Sequence, residues 1–121
     1  MSKFGKVWGS TEVLLKSPLL EIHRLTIHPN SECSNHAHQF KWNAFFVMSG
    51  RLSIVVEKTD YPLTDVTELG PGEFTTVRPG EYHKFRSGSE PVQAIEIYYP
   101  ETLSEDIVRK DHGSRDMSSG L

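Results

Sequence analysis

The stretch Ser34-Asn35-His36-Ala37-His38-Gln39-Phe40-Lys41-Trp42-Asn43-Ala44-Phe45-Phe46-Val47-Met48-Ser49-Gly50 decides the fold. His36 and His38 are two apart, so extended backbone points both imidazoles to one face. After four intervening residues comes Asn43, and an apolar run from Ala44 to Met48 ends at Ser49-Gly50. Ser34 to Phe40 reads as one strand and Asn43 to Met48 as the next. In the second strand Asn43, Phe45 and Val47 share one face and Ala44, Phe46 and Met48 the other. A further histidine, His83, follows a Pro79-Gly80 turn. Imidazoles that converge from separate strands are how a β-barrel builds a metal site.

Outward from this stretch the chain alternates short strands and turns. Glu12 to Leu15 predicts a short strand and Lys16-Ser17-Pro18 a turn. Leu19 to His28 is the first long strand, with β-branched Ile22, Thr26 and Ile27. Its imperfect alternation suits a strand partly covered on both faces. After Gly50, Leu52, Ile54 and Val56 share one face of the next strand. Lys58 to Thr67 is polar and predicts a hairpin loop with a short strand. Leu69-Gly70-Pro71-Gly72 and Arg78-Pro79-Gly80-Glu81 are turns around a strand from Phe74 to Val77. Strands from Tyr82 to Phe85 and Val92 to Tyr99 follow. Turns about every ten residues predict an all-β sandwich or barrel. Ser104 is placed to cap a short helix over Glu105 to Arg109. The Ser- and Gly-rich residues 114–121 read as a flexible tail after one domain of residues 1–113.

The chain has 121 residues, enough for one core, and a net charge of −3. That balance argues against nucleic acid or an anionic membrane as the main partner. No run approaches the apolar length of a membrane span, and the N-terminus lacks the apolar core of a signal peptide. The expected setting is cytoplasmic. Cys33 is the only cysteine, which excludes an internal disulfide and a cysteine metal cluster. Its parity along the strand is opposite to that of His36 and His38, so it reads as a spectator thiol.

The segment from His36 to Gly50 resembles the first motif of the cupins: His-x-His, four residues, an acidic ligand, six residues, Gly. Gly72 to His83 resembles the second: Gly, a strand, Pro-Gly, two residues, His. Within the cupins, Lys6-Val7-Trp8-Gly9-Ser10-Thr11-Glu12-Val13-Leu14 is similar to the opening of the cupin domain of type II mannose-6-phosphate isomerases. Arg24-Leu25-Thr26-Ile27-His28-Pro29 and Glu105-Asp106-Ile107-Val108-Arg109 fit the same branch, so the resemblance spans roughly residues 6 to 113. It implies a double-stranded β-helix, the cupin or jelly-roll barrel, and a metal-dependent sugar-phosphate isomerase. The chain departs from the branch at three positions. Asn43 stands where the acidic ligand is expected, Arg78 where a proline is usual, and His36 where the branch often has Gln.

The resemblance makes His36, His38, His83 and Asn43 the expected metal ligands. Three neutral imidazoles suit a divalent transition metal such as Zn, Fe, Mn, Ni or Cu. Asn43 offers an amide oxygen without charge, which leaves the full charge of the ion on the site. Without a metal, the histidines would line a polar pocket. Isomerising a sugar phosphate also needs a base, for which Glu96 and Lys41 are the candidates. Arg78 adjoins the His83 turn and is the candidate phosphate donor. Most of the other arginines read more plainly as solvated strand-edge charges. Trp42 and Tyr82 are expected at an aromatic pocket mouth. His23 and His28 match no ligand position and read as surface or interface residues.

The expected function is therefore a metal-dependent small-molecule cupin acting on a sugar phosphate by metal-assisted proton transfer. Two alternatives are a non-catalytic sugar-binding cupin and a three-histidine oxygenase or lyase. The row Ala44, Phe46 and Met48 predicts a homodimer surface wherever the chain itself leaves it uncovered.

Overall fold

The computed structural model describes residues 3–100 and 108–115. Nine strands run in chain order: β1 Lys3–Lys6, β2 Gly9–Ser17, β3 Leu20–Ile27, β4 Trp42–Ser49, β5 Leu52–Glu57, β6 Thr64–Leu69, β7 Phe74–Val77, β8 Tyr82–Ser87 and β9 Val92–Tyr99. They form a six-stranded sheet, β1-β2-β3-β9-β4-β7, and a three-stranded sheet, β6-β5-β8. Every pairing is antiparallel. The two sheets enclose one apolar interior, as the double-stranded β-helix requires.

Alternation sets what faces inward. In β4 Asn43, Phe45 and Val47 are buried, whereas Phe46 and Met48 are exposed. In β5 Leu52, Ile54 and Val56 are buried. The register then sorts the interior by polarity. Phe45 pairs with Glu96, Val47 with Ala94 and Asn43 with Tyr98. On the other side of β9, His23 pairs with Glu96, Leu25 with Ala94 and Ile27 with Val92. Val56 pairs with His83 and Ile54 with Phe85. In β3, β4 and β9 the apolar inward residues thus lie toward one end of the barrel and the polar ones toward the other. The apolar end is packed through Phe45 and Phe85, whose rings meet edge to face at 6.1 Å. Trp8 closes on Phe85 at 4.8 Å. Truncating Phe45 to Ala there would cost about 3–5 kcal/mol. Gly50, at φ +82°, makes the turn into β5, where an added Cβ would strike the Pro91 carbonyl.

Three segments differ from the sequence expectation. Ser34 to Phe40 is not a strand of either sheet. It is irregular chain, bent at Gln39 and Phe40, with one isolated bridge at His36–His83; the Glu32–Arg86 bridge lies just before it. Its backbone crosses between the sheets and bonds to β8 at intervals only: Cys33 N to Phe85 O, and His36 and His83 reciprocally. β1 was not anticipated, because all four of its residues are exposed and leave no alternation to read. β2 runs on to Ser17 with a bulge at Val13/Leu15. The helix expected over Glu105 to Arg109 lies outside the described residues at 105–107, and Val108 and Arg109 are irregular.

Candidate metal centre

At the polar end, three imidazoles meet. The ligand nitrogens of His36, His38 and His83 all lie within 4.8 Å of one another. Ring centroids are 5.1 Å apart for His36–His38, 4.7 Å for His36–His83 and 5.5 Å for His38–His83. Two different local structures deliver them. The same-face spacing of extended chain presents His36 and His38 together, and β8 supplies His83. The His36–His83 bridge, with N···O distances of 3.0 and 2.8 Å, locks the two segments in register. Gly80 N donates to His38 O at 2.8 Å, which fixes the third.

The outer hydrogen bonds assign the tautomers. His83 Nδ1 lies 3.0 Å from Glu81 O, and His36 Nδ1 lies 2.7 Å from Ser34 O. A backbone carbonyl only accepts, so both Nδ1 atoms carry the proton. That leaves Nε2 of both rings as the unprotonated nitrogen, the tautomer metal-binding histidines usually adopt. His38 Nε2 is buried and has no hydrogen-bond partner among the described residues. Burial, together with neighbouring His36 and His83, lowers the His38 pKa to about 4. Burial likewise lowers that of His83. Burial thus favours the neutral imidazole at His38 and His83, and an orphaned buried nitrogen is what a cation would satisfy. The donor set fits a divalent transition metal.

Asn43 completes the group. It is buried, and its side-chain amide lies 3.0 Å from His83 Nε2. Since Nε2 is an acceptor, the amide turns its nitrogen toward it. In that orientation it also donates to Glu96 Oε2 at 3.3 Å, and its oxygen accepts from Ala44 N at 3.3 Å. Glu96 is buried in the barrel wall, and that burial raises its pKa against the hydrogen bonds from Tyr98 and Asn43. Tyr98 packs edge-on against both His38 and His23, and its own pKa is pushed up by burial and by Glu96.

A cavity of about 470 Å³ opens beside His36, and Thr11, His23, Cys33, Glu96 and Tyr98 form its polar wall. Lys6 is the one cation among its lining residues apart from histidine. His23, read from sequence as a surface or interface residue, lines this cavity. It bonds to Thr11 Oγ1 at 3.1 Å and to Glu21 Oε2 at 3.0 Å. The register of β3 and β9 sets it opposite Glu96. Cys33 is buried and its sulfur accepts from Phe85 N at 3.2 Å. It also lines the cavity but stands outside the histidine group.

The remaining expected site residues lie elsewhere. Lys41 sits 5.0 Å over the Tyr98 ring in a separate pocket of about 260 Å³ with Phe40 and Tyr99. Trp42 is on the opposite face of β4 from Asn43 and stacks on Tyr99 at 6.3 Å. Tyr82 is exposed, on the opposite face of β8 from buried His83. The Arg78 guanidinium is committed to Asp60 at 2.6 Å and Glu81 at 3.2 Å. None of these four lines the cavity beside His36.

Comparison with known proteins gives a consistent picture. A family profile described as "Cupin domain" matches residues 23–98. A curated mannose-1-phosphate guanylyltransferase from Klebsiella pneumoniae is 25% identical over 111 residues, covering 89% of this chain and 22% of that protein. The chain therefore spans about a fifth of that relative's length. A conserved protein with a double-stranded β-helix domain, also from Klebsiella pneumoniae, superposes with a TM-score of 0.64 at 22% identity, over 78% of each chain. A variant of oxalate decarboxylase from Bacillus subtilis superposes with a TM-score of 0.71 at 13% identity, over 84% of this chain and 30% of that one. At these identities the structural likeness speaks to the fold.

Proposed function

This chain belongs to the cupin family, and from that premise we propose that it is a metal-dependent small-molecule cupin acting on a sugar phosphate by metal-assisted proton transfer. One observation carries the reading. A buried carboxyl, Glu96, shares the wall of one cavity with His36 of a three-imidazole cluster. His36, His38 and His83 would hold the ion. A bound divalent ion supplies Lewis-acid polarisation of a carbonyl. The chain's own groups supply the rest. Glu96, with its raised pKa, keeps a proton on its carboxyl at a higher pH than an ordinary glutamate. It can exchange that proton with a carbon or oxygen held in the cavity. Tyr98 and Asn43 orient the carboxyl, and Thr11 and His23 offer hydrogen bonds to hydroxyls. Lys6, at the cavity, is the cation available to a phosphate. The similarity to a mannose-1-phosphate guanylyltransferase supports a sugar-phosphate ligand.

The apolar outer face of the larger sheet makes the protein a homodimer in this reading. Phe46 and Phe74 are cross-strand partners there, 38% and 68% exposed. Asn43 favours a second reading, a sugar-binding cupin without turnover, because an amide replaces the acid expected among the ligands. The test is interconversion of mannose 6-phosphate and fructose 6-phosphate by metal-loaded protein, by chelated protein and by Glu96→Gln. Turnover lost in the last two supports the isomerase. Ligand-dependent thermal stabilisation without turnover supports the binding module.

A further inference from the structure

Glu81 is the turn residue two positions before His83, and its side chain is 2% exposed. Buried carboxylates are rare and costly unless fully paired. This one is. Lys58 Nζ lies at 3.0 Å and Arg78 Nη2 at 3.2 Å, and the Arg78 backbone N–H donates to it at 3.2 Å. Arg78 in turn grips Asp60, so residues just after β5 are tied to the turn before β8. The bend itself does not need this charge: Gly80, at φ +85°, already makes it. What the charge does hold is the Glu81 backbone, whose carbonyl accepts Nδ1–H of His83. The same turn bonds to His38 through Gly80 N, and the next residues bond to His36.

We propose that Glu81 is a positioning residue for the metal centre: clamped by Lys58 and Arg78, it fixes the carbonyl that sets the His83 tautomer and aims Nε2 at the ion. The assignment rests on the metal-centre reading above. Lys58, Arg78 and Asp60 thereby belong to the site although none of them is a donor to the ion. Removing the negative charge frees the turn and lets the His83 ring reorient.

Co(II) serves as the probe, bound to metal-free full-length protein in competition with a chromogenic chelator. Glu81→Gln is expected to bind Co(II) about 10- to 100-fold more weakly, with a changed visible spectrum. In the metal-free variant, the ¹⁵N resonances of the His83 ring are expected to shift from the Nδ1–H pattern. Affinity, spectrum and ring resonances equal to the parent's overturn the proposal. Should Glu81→Gln fail to fold, Lys58→Gln decides by the same readings: weaker binding supports the role and equal binding overturns it. A parent protein that takes up no Co(II) overturns the metal centre and this role together. Parent uptake with an undisturbed Glu81→Gln overturns the role alone.

Discussion

The Asn43 amide and His83 Nε2 lie 3.0 Å apart, and the amide reaches Glu96 on its other side. The residue standing at the acidic ligand position therefore caps the lone pair a metal would use. Metal binding must displace that contact. Asn43→Glu replaces the cap with a charged oxygen donor. The expected result is divalent-metal affinity tighter by about tenfold or more, some 1.4 kcal/mol. The metal-free variant should melt lower than the parent, because an uncompensated carboxylate is buried, and metal should restore it. Equal or weaker affinity, read by competition titration, would mean that position 43 points away from the ion.

His83 is the buried member of the histidine group and the one set in a sheet ladder. His83→Ala should abolish metal uptake while circular dichroism still reports the β-fold. Elemental analysis of protein purified without chelator or affinity metal checks this. Unchanged metal stoichiometry in the variant would sink the assignment.

Burial raises the Cys33 thiol pKa to about 11. The folded protein thus holds its proton where the unfolded chain has lost it. Stability from this group is complete below the unfolded pKa, near 9, and is lost as pH rises through about 11. The loss amounts to at most about 3 kcal/mol. Urea melts from pH 8.5 to 11 should fall more steeply for the parent than for Cys33→Ala. Parallel curves would show that the thiol titrates freely.

The Phe46–Phe74 pair is the test of association. Phe46→Glu places a charge on the outer face without touching the interior. Light scattering is expected to report a dimer for the parent and a monomer for the variant, at equal thermal stability within about 1 kcal/mol. A monomeric parent would remove the homodimer from the proposed function.

Much of the barrel could be read in advance where one face is buried and the other is not. Leu52, Ile54 and Val56 recur at every second position, and Phe45 and Val47 share the parity of Asn43, so both strands and their inward sides were legible. The convergence of His36, His38 and His83 was legible through the resemblance of their two segments to the cupin motifs. β1 was not, since Lys3 to Lys6 bury nothing. The crossing segment was misread as a strand because two histidines at same-face spacing need only extended backbone, not a ladder. Glu81 looked like any solvated turn acid, and His23 like any strand-edge histidine. Their roles come from partners far away in sequence, Lys58 for one and the β9 carboxyl for the other. Pairings of that kind leave no local pattern.

The segment that carries His36 and His38 belongs to neither sheet. A residue inserted in a ladder strand flips every later side chain to the other face, so barrel walls tolerate length change poorly. The crossing segment is spared that constraint over most of its length, because it touches β8 at isolated points only. Substitutions at Ser34, which lines the cavity from this segment, can alter its wall without disturbing the packing of Phe45 or Ile54. Directed evolution toward a new substrate should begin there, where novelty is cheapest for the scaffold.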